Sequence, residues 1–256
     1  MKRIWTAPAG ILLLLLGGCS GIGTKHGIDG TPTNPDDGSV AVTVPPATVT
    51  IRAGATEAFA ASVRGTTKTN VTWSVNAVAG NSLASQLKQV AQVIAVRSAL
   101  GIGRQIFFCS QGGFDTHSDQ LDTQVGLYGQ LSAAMAAFYS ATQELSVANQ
   151  VTTFTLSEFS RTFQPRSNGG TDHPWGGHQV MMGGAVQGNA LYGTFPTLAL
   201  GGPEDVGNNG RWVPTTSVDQ YAATLASWFG VSNTDLPAIF PNLVNFQTAN
   251  LGFMTS

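Results

Sequence analysis

The chain has 256 residues, of which 42% are apolar and 10% charged, with 31 glycines and a formal net charge of −2. That length allows one large domain or two small ones. The near-neutral balance, without any run of like charges, excludes the basic footprint of a nucleic-acid binder. The low charged fraction, made up by Gly, Thr, Ser, Asn and Gln, is a composition common in exported proteins.

The N-terminus fits that compartment. Lys2 and Arg3 form a basic start, Ile11 to Leu16 an apolar run, and Gly17-Gly18-Cys19 a small-residue end. This is the anatomy of a signal peptide over residues 1–19. The run is too short to span a bilayer, which takes about 20 apolar residues. The stretch LLGGC resembles a bacterial lipoprotein signal, in which Cys19 becomes the lipidated first residue of the mature protein. Ser20 follows, not Asp. By resemblance to Gram-negative lipoproteins, that implies a cell-envelope protein anchored in the outer membrane, facing the periplasm or the cell surface, with the lipid as its membrane contact. Cys109 is then the one cysteine left, so no intrachain disulfide is available to the mature chain. It lies in an apolar run and reads as a buried core thiol.

Residues 20–39 carry almost no large apolar side chains and read as a flexible linker, with His26 solvated in it. Residues 40–78 alternate apolar and polar positions in the runs Val40–Val44, Val49–Ile51, Glu57–Val63 and Val71–Val75. Pro45-Pro46, Ala53-Gly54 and Gly65-Thr66 punctuate them. This piece resembles the first strands of the bacterial immunoglobulin-like (group 2) domain, with Trp73 as its core tryptophan. A complete sandwich takes about seven strands over about 100 residues. The fragment therefore implies open edges and an uncovered face.

Residues 79–256 read as α/β. Leu83, Leu87, Val90, Ala91, Ile94 and Leu100 recur at helical spacing until Gly101 and Gly103. GRQIFFCS is a buried strand, QGGFDTHSD a loop, and roughly Leu121 to Leu145 a long amphipathic helix. VTTFTLSEF is the next strand and SRTFQPRSNGGTDHPWGGH the next loop. Strand, helix, strand is the pattern of a parallel sheet, in which ligands bind outside the carboxyl ends of the strands. Ser217 or Thr216 caps a later helix reaching about Phe229, with Leu225, Trp228 and Phe229 on its buried face. Arg211 and Trp212 sit in a loop, as pocket lining or as packing.

Three clusters fall in the strand-end loops: Asp115-Thr116-His117, Ser157-Glu158-Phe159-Ser160-Arg161-Thr162, and Asp172-His173 with His178. Carboxylate plus imidazole is the ligand set of Zn, Mn or Fe. In extended backbone Asp115 and His117 point to the same side and can address one ion. Asp172 and His173 point apart unless the glycines at 169, 170, 176 and 177 bend the chain. Each cluster has a plainer reading. Asp115 can cap the following helix, Asp172 can form a turn, and Glu158 with Arg161 can be a buried ion pair.

The stretch GRQIFFCSQGGFDTHSDQ, with TFTLSEFSRT, GGTDHPWGGHQVMMGGAVQG, GRWVPTTSVDQYAATLASWFGV and IFPNL, closely resembles the bacterial family called domain of unknown function 1501, from about residue 81 to 243. That family is grouped with the alkaline phosphatase and sulfatase superfamily. The resemblance implies a partial alkaline-phosphatase-like α/β sandwich with a mainly parallel sheet, here the C-terminal portion, preceded by the short immunoglobulin-like β fragment. It implies a divalent metal on Asp115, His117, Asp172, His173 and His178. Glu158 or Arg161 would assist, the arginine pairing with an anionic substrate oxygen. Two departures matter. Glu158 stands where a strand-end Asp is expected. The superfamily's opening strand, which supplies a metal-binding Asp and leads to a Ser, Thr or Cys nucleophile, has no counterpart. The resulting expectation is an exported metal-dependent hydrolase of small phosphate or sulfate esters, or an inactive truncated relative. The alternative is a non-catalytic lipoprotein that binds a cell-surface glycan.

Overall fold

A computed structural model describes residues 80–101 and 103–255, together with the backbone of three strands nearer the N-terminus: β1 (Ile11–Gly17), β2 (Ala41–Thr43) and β3 (Ser62–Arg64). It mixes helix and strand. β2 and β3 form a small antiparallel pair within residues 40–78. The expected runs Val49–Ile51 and Val71–Val75, Trp73, the linker and Cys19 lie outside the described residues.

The larger sheet has four strands in the order β4 (Gln105–Ser110), β1, β5 (Val151–Ser157), β6 (Met181–Gly183). β1 pairs in parallel with β4 on one side and β5 on the other, while β6 runs antiparallel to β5. The run assigned from sequence to an export leader is thus the strand between the two site-bearing strands. An unbroken apolar run suits a buried strand as well as a leader, so its pattern alone does not choose between them.

Helix α1 (Ser82–Ala95) starts where Asn81 accepts a hydrogen bond from the Ala84 N–H at 3.0 Å. The Asn81 amide donates to the Gln130 carbonyl of α3 (Gln120–Glu144) at 2.7 Å, which ties the two helices together. Short α2 (Arg97–Leu100) follows and ends on Gly101 in the left-handed region, where the expected helix stops. One core joins Leu83, Leu87, Val90, Ala91 and Ile94 of α1 to Ala134, Met135, Phe138 and Ala141 of α3, over Cys109 and Val151 of the sheet. Cys109 is a buried free thiol, its pKa pushed up to about 11 by burial. The amphipathic reading of α3 holds only for its second half. Leu121, Val125 and Tyr128 of the first half are exposed.

The other face carries α4 (Val218–Phe229), which opens with a capping box between Ser217 and Gln220. Its buried residues are Tyr221, Ala223, Thr224 and Leu225; Trp228 and Phe229, expected inside, are half-buried. Tyr221 and Leu225 cover Phe154 of β5 together with Phe253. Phe108 of β4 shares the register row of Phe154 across β1 but has no such cover among the described residues and is 59% exposed. A short helix, α5 (Leu236–Ile239), adds Leu236 to a small cluster with Ala223 and Leu243.

Candidate metal centre

The two loops that hold the candidate ligands leave the carboxyl ends of β4 and β5, and each is fixed by contacts of its own. Where β4 ends, the Gln86 amide of α1 brackets Ser110, accepting from its N–H at 2.9 Å and donating to its carbonyl at 2.8 Å. Gln111 then donates to the Leu127 carbonyl of α3 at 3.0 Å. Farther along, the loops lie side by side. Thr171 N–H bonds Thr116 O at 3.2 Å, and Asp119 and Gln120 donate to Asn168 and Gly169. Gly170 makes this approach fit, since a Cβ there would lie 1.9 Å from the His117 carbonyl carbon and oxygen.

Arg161 pins the junction. Its side chain is 10% exposed. Nη2 donates to the Thr116 carbonyl at 2.8 Å and also to the Thr171 carbonyl. Nε donates to Thr171 Oγ1 at 2.9 Å and Gln120 Oε1 at 3.3 Å, and Nη1 reaches Asp115 Oδ1 at 3.2 Å. Gln120 Oε1 also accepts from the hydroxyls of Thr116 and Thr171, both buried. The guanidinium fork thus engages loop groups and Asp115, the geometry of a structural staple rather than of a substrate clamp.

Asp115, His117 and His173 converge at this junction and form a group able to hold a metal ion, with one ligand atom from each within 4.8 Å of the others. Asp115 Oδ1 lies 2.6 Å from His173 Nε2 and 2.9 Å from His117 Nε2. The hydrogen bond from His173 holds the Asp115 carboxyl below the usual carboxylate range. Desolvation pushes the other way, and the nearby charge of His117 and the bond from Arg161 add to the lowering. The imidazoles stack with centroids 4.9 Å apart, and Phe159 lies flat on His173 at 4.0 Å and 3°.

The donor set fits a divalent ion. Bonds of about 2.0–2.1 Å in a tetrahedron set ligand atoms about 3.3 Å apart, so an ion between these groups requires the carboxylate to part from both imidazoles by somewhat under 1 Å and the two imidazole nitrogens to take up that spacing. Three protein donors leave a coordination position open, as in catalytic rather than structural zinc sites. Side-chain exposures of 36–46% for Asp115, His173 and His117 keep that position accessible to solvent.

The other sequence candidates lie apart from this group. Asp172 turns to Arg166, forming an ion pair. His178 stacks on Phe195 at 5.1 Å. Glu158 is exposed, with no hydrogen-bond or ion-pair partner among the described residues. Asp115 does not cap α3, whose N-cap position is Asp119 at φ +46°. Trp212 is packing: it is buried and meets Phe163 edge-on at 5.5 Å. Sequence reasoning gave no role to Phe159, Gln120 or Thr171. The two polar residues flank the motifs it singled out, but a stacking partner for His173 leaves no mark in residue spacing.

No curated protein and no solved structure matches the chain. A family model described as Protein of unknown function (DUF1501) matches residues 47–217. The match begins inside the stretch whose alternation resembles an immunoglobulin-like fragment, takes in both site loops and ends at the N-cap of α4. By that match, over more than half of its length, the chain belongs to the DUF1501 family.

Proposed function

We propose that this chain is a metal-dependent hydrolase of small phosphate or sulfate esters, with its ion on Asp115, His117 and His173. The carrying observation is the convergence of these three donors, from two strand-end loops, on one solvent-open point. When bound, a divalent ion polarises an ester oxygen and activates water for attack. The chain's own residues do the rest. Asp115 supplies negative charge, and two imidazoles supply neutral nitrogen donors. Phe159 fixes the plane of the His173 ring, and Arg161 holds the two loops at working separation. An alkaline-phosphatase-like sandwich is the proposed parent architecture, and the immunoglobulin-like reading of residues 40–78 is part of the same proposal. Export and a lipid anchor at Cys19 are the proposed address, on the leader anatomy of residues 1–19. Among the described residues, no helix is long and apolar enough to cross a membrane.

One observation favours a second reading, a lipoprotein that binds a surface glycan without turnover. The hydroxyls of Thr116 and Thr171, which adjoin the ligands in sequence, are buried and engaged with Gln120 rather than free to attack. Chelator-stripped protein, titrated with Zn²⁺ or Mn²⁺ and assayed on p-nitrophenyl phosphate and sulfate, separates the readings. Hydrolysis that appears with the metal supports the hydrolase, and binding without turnover supports the second reading. His173→Ala is expected to weaken metal binding by more than ~10-fold, with His178→Ala unchanged. Equal losses in both variants, or no retained ion in the wild type, would refute the centre.

A further inference from the structure

The segment that leaves β5 folds back on itself beside the cluster. Ser160 N–H donates to the Pro174 carbonyl at 3.0 Å, and Thr162 N–H to the Asp172 carbonyl at 2.9 Å. That antiparallel register sets Arg161 opposite His173 and Phe159 opposite Trp175. His173 is a candidate ligand, Phe159 is the ring stacked on it at 4.0 Å, and Trp175 is the next residue of that row. Alternate residues of extended backbone stand about 7 Å apart, so Trp175 is rooted close to the open side of the centre.

Trp175 is 63% exposed, yet its backbone is fixed on both sides. Before it, the Pro174 carbonyl is held by Ser160. After it, Gly176 N–H donates to the Trp212 carbonyl at 3.2 Å, and a Cβ on Gly176 would lie 2.6 Å from that oxygen. Trp212 is itself buried. A large ring left in water on a seated backbone loses little further freedom when a ligand covers it. Its flat face and two side-chain torsions suit it to recognition.

The surrounding groups narrow what the ligand is. Arg161 is taken up by the Thr116 and Thr171 carbonyls, and Arg166 by Asp172. Neither arginine of these loops is left for a second anionic group, and Glu158 adds an exposed negative charge. Gln120 Oε1 and the hydroxyls of Thr116 and Thr171 are engaged with one another rather than open to the hydroxyls of a sugar. What Trp175 offers beside the centre is the face of an aromatic ring.

We propose that Trp175 is the leaving-group subsite of this centre, its indole receiving the ring of an aryl phosphate or sulfate monoester. The proposal rests on the metal-centre reading. In the hydrolysis it serves, a water oxygen bonds to phosphorus or sulfur. The bond to the aryl oxygen breaks, its electron pair leaving with that oxygen. One proton of the water ends on the phenolate and the other stays with the inorganic acid.

The test uses the full chain loaded with Zn²⁺ and two phosphonates that cannot be hydrolysed, phenylphosphonate and methylphosphonate. Calorimetry gives the Zn²⁺ affinity of each protein first, then the ratio of the two phosphonate affinities. The wild type is expected to prefer the phenyl compound by at least ~10-fold, from ring stacking and apolar burial. Trp175→Ala is expected to bring the ratio to within ~2-fold, and Trp175→Phe, which keeps a ring, to restore most of it. A preference that survives in Trp175→Ala overturns the subsite. So does a Trp175→Ala protein that loses Zn²⁺ together with the ratio, since the indole would then be a support of the centre. Zn²⁺ binding with no preference in the wild type overturns the subsite and leaves the centre standing. A wild type that binds no Zn²⁺ removes both.

Discussion

Arg161 shows how much one side chain can fix. It ends a strand-exit turn, is nearly buried, and donates to the carbonyls of Thr116 and Thr171, one in each ligand loop. A buried guanidinium is tolerable only where its donors are matched, and here they are. Replacement by Gln leaves the two loop carbonyls short of a charged donor, which is expected to destabilise the fold by about 2 kcal/mol. Arg161→Lys keeps the charge but loses the planar fork, so it falls between wild type and Gln. Urea unfolding checks both, with the midpoint moving and the slope constant. If the arginine instead served a substrate oxygen, Arg161→Gln would leave the midpoint in place and change only KM. Spacing in the sequence placed this residue at the right loop. It could not tell a staple from an anion clamp, because that depends on what the other loop presents to the guanidinium.

At the scale of elements, the helices were the most legible part. Helical spacing predicted α1 and α3 to within a few residues, and the Ser217 cap predicted the start of α4. β4 and β5 were legible from their apolar runs between glycine and polar loops. β6 was not, since Met181–Gly183 is too short to alternate, and β1 was hidden because a leader and a buried strand share one composition. The site was legible in its first half. Asp115 and His117 were paired by their i, i+2 spacing, whereas the choice of His173 over Asp172 and His178 follows from loop packing. Gly170 is where that packing can be tested. A methyl group there meets the His117 backbone and must push the loops apart. Gly170→Ala is expected to cost about 1–3 kcal/mol of stability and to weaken metal binding by more than ~10-fold. Gly103→Ala, in open space, is the control and should leave metal binding unaltered. Calorimetric titration of the two variants gives the comparison.

For the whole molecule, the scarcity of charge concentrates its response to acid. With only 14 Asp and Glu in the chain, few carboxylates are available to make stability depend on pH. Two of the described ones, Asp115 and Asp205, are held below their ordinary range. For Asp205, burial pushes the carboxyl up, but the N–H groups of Gly201, Arg211, Gly210 and Asn209 outweigh it. This carboxylate organises the loop whose Asn209 and Gly210 carbonyls accept from Gln164 and Phe163, and whose Trp212 carbonyl accepts from Gly176. It therefore buttresses the His173 loop from behind. The sign follows from linkage. A carboxylate with a lowered folded pKa binds fewer protons folded than unfolded, so its stabilisation is complete above the unfolded value near ~3.9 and fades as pH falls through the folded value. Chelator-treated protein is expected to show a flat Tm from about pH 7 to 5 and a fall below about pH 4. Asp205→Asn retains an acceptor but loses the charge, so its Tm should be lower on the plateau and its acid fall shallower than that of the wild type. Thermal melts across pH 3–7 decide this. Parallel curves for the two proteins would place the acid sensitivity elsewhere and detach the Asp205 loop from the stability of the site.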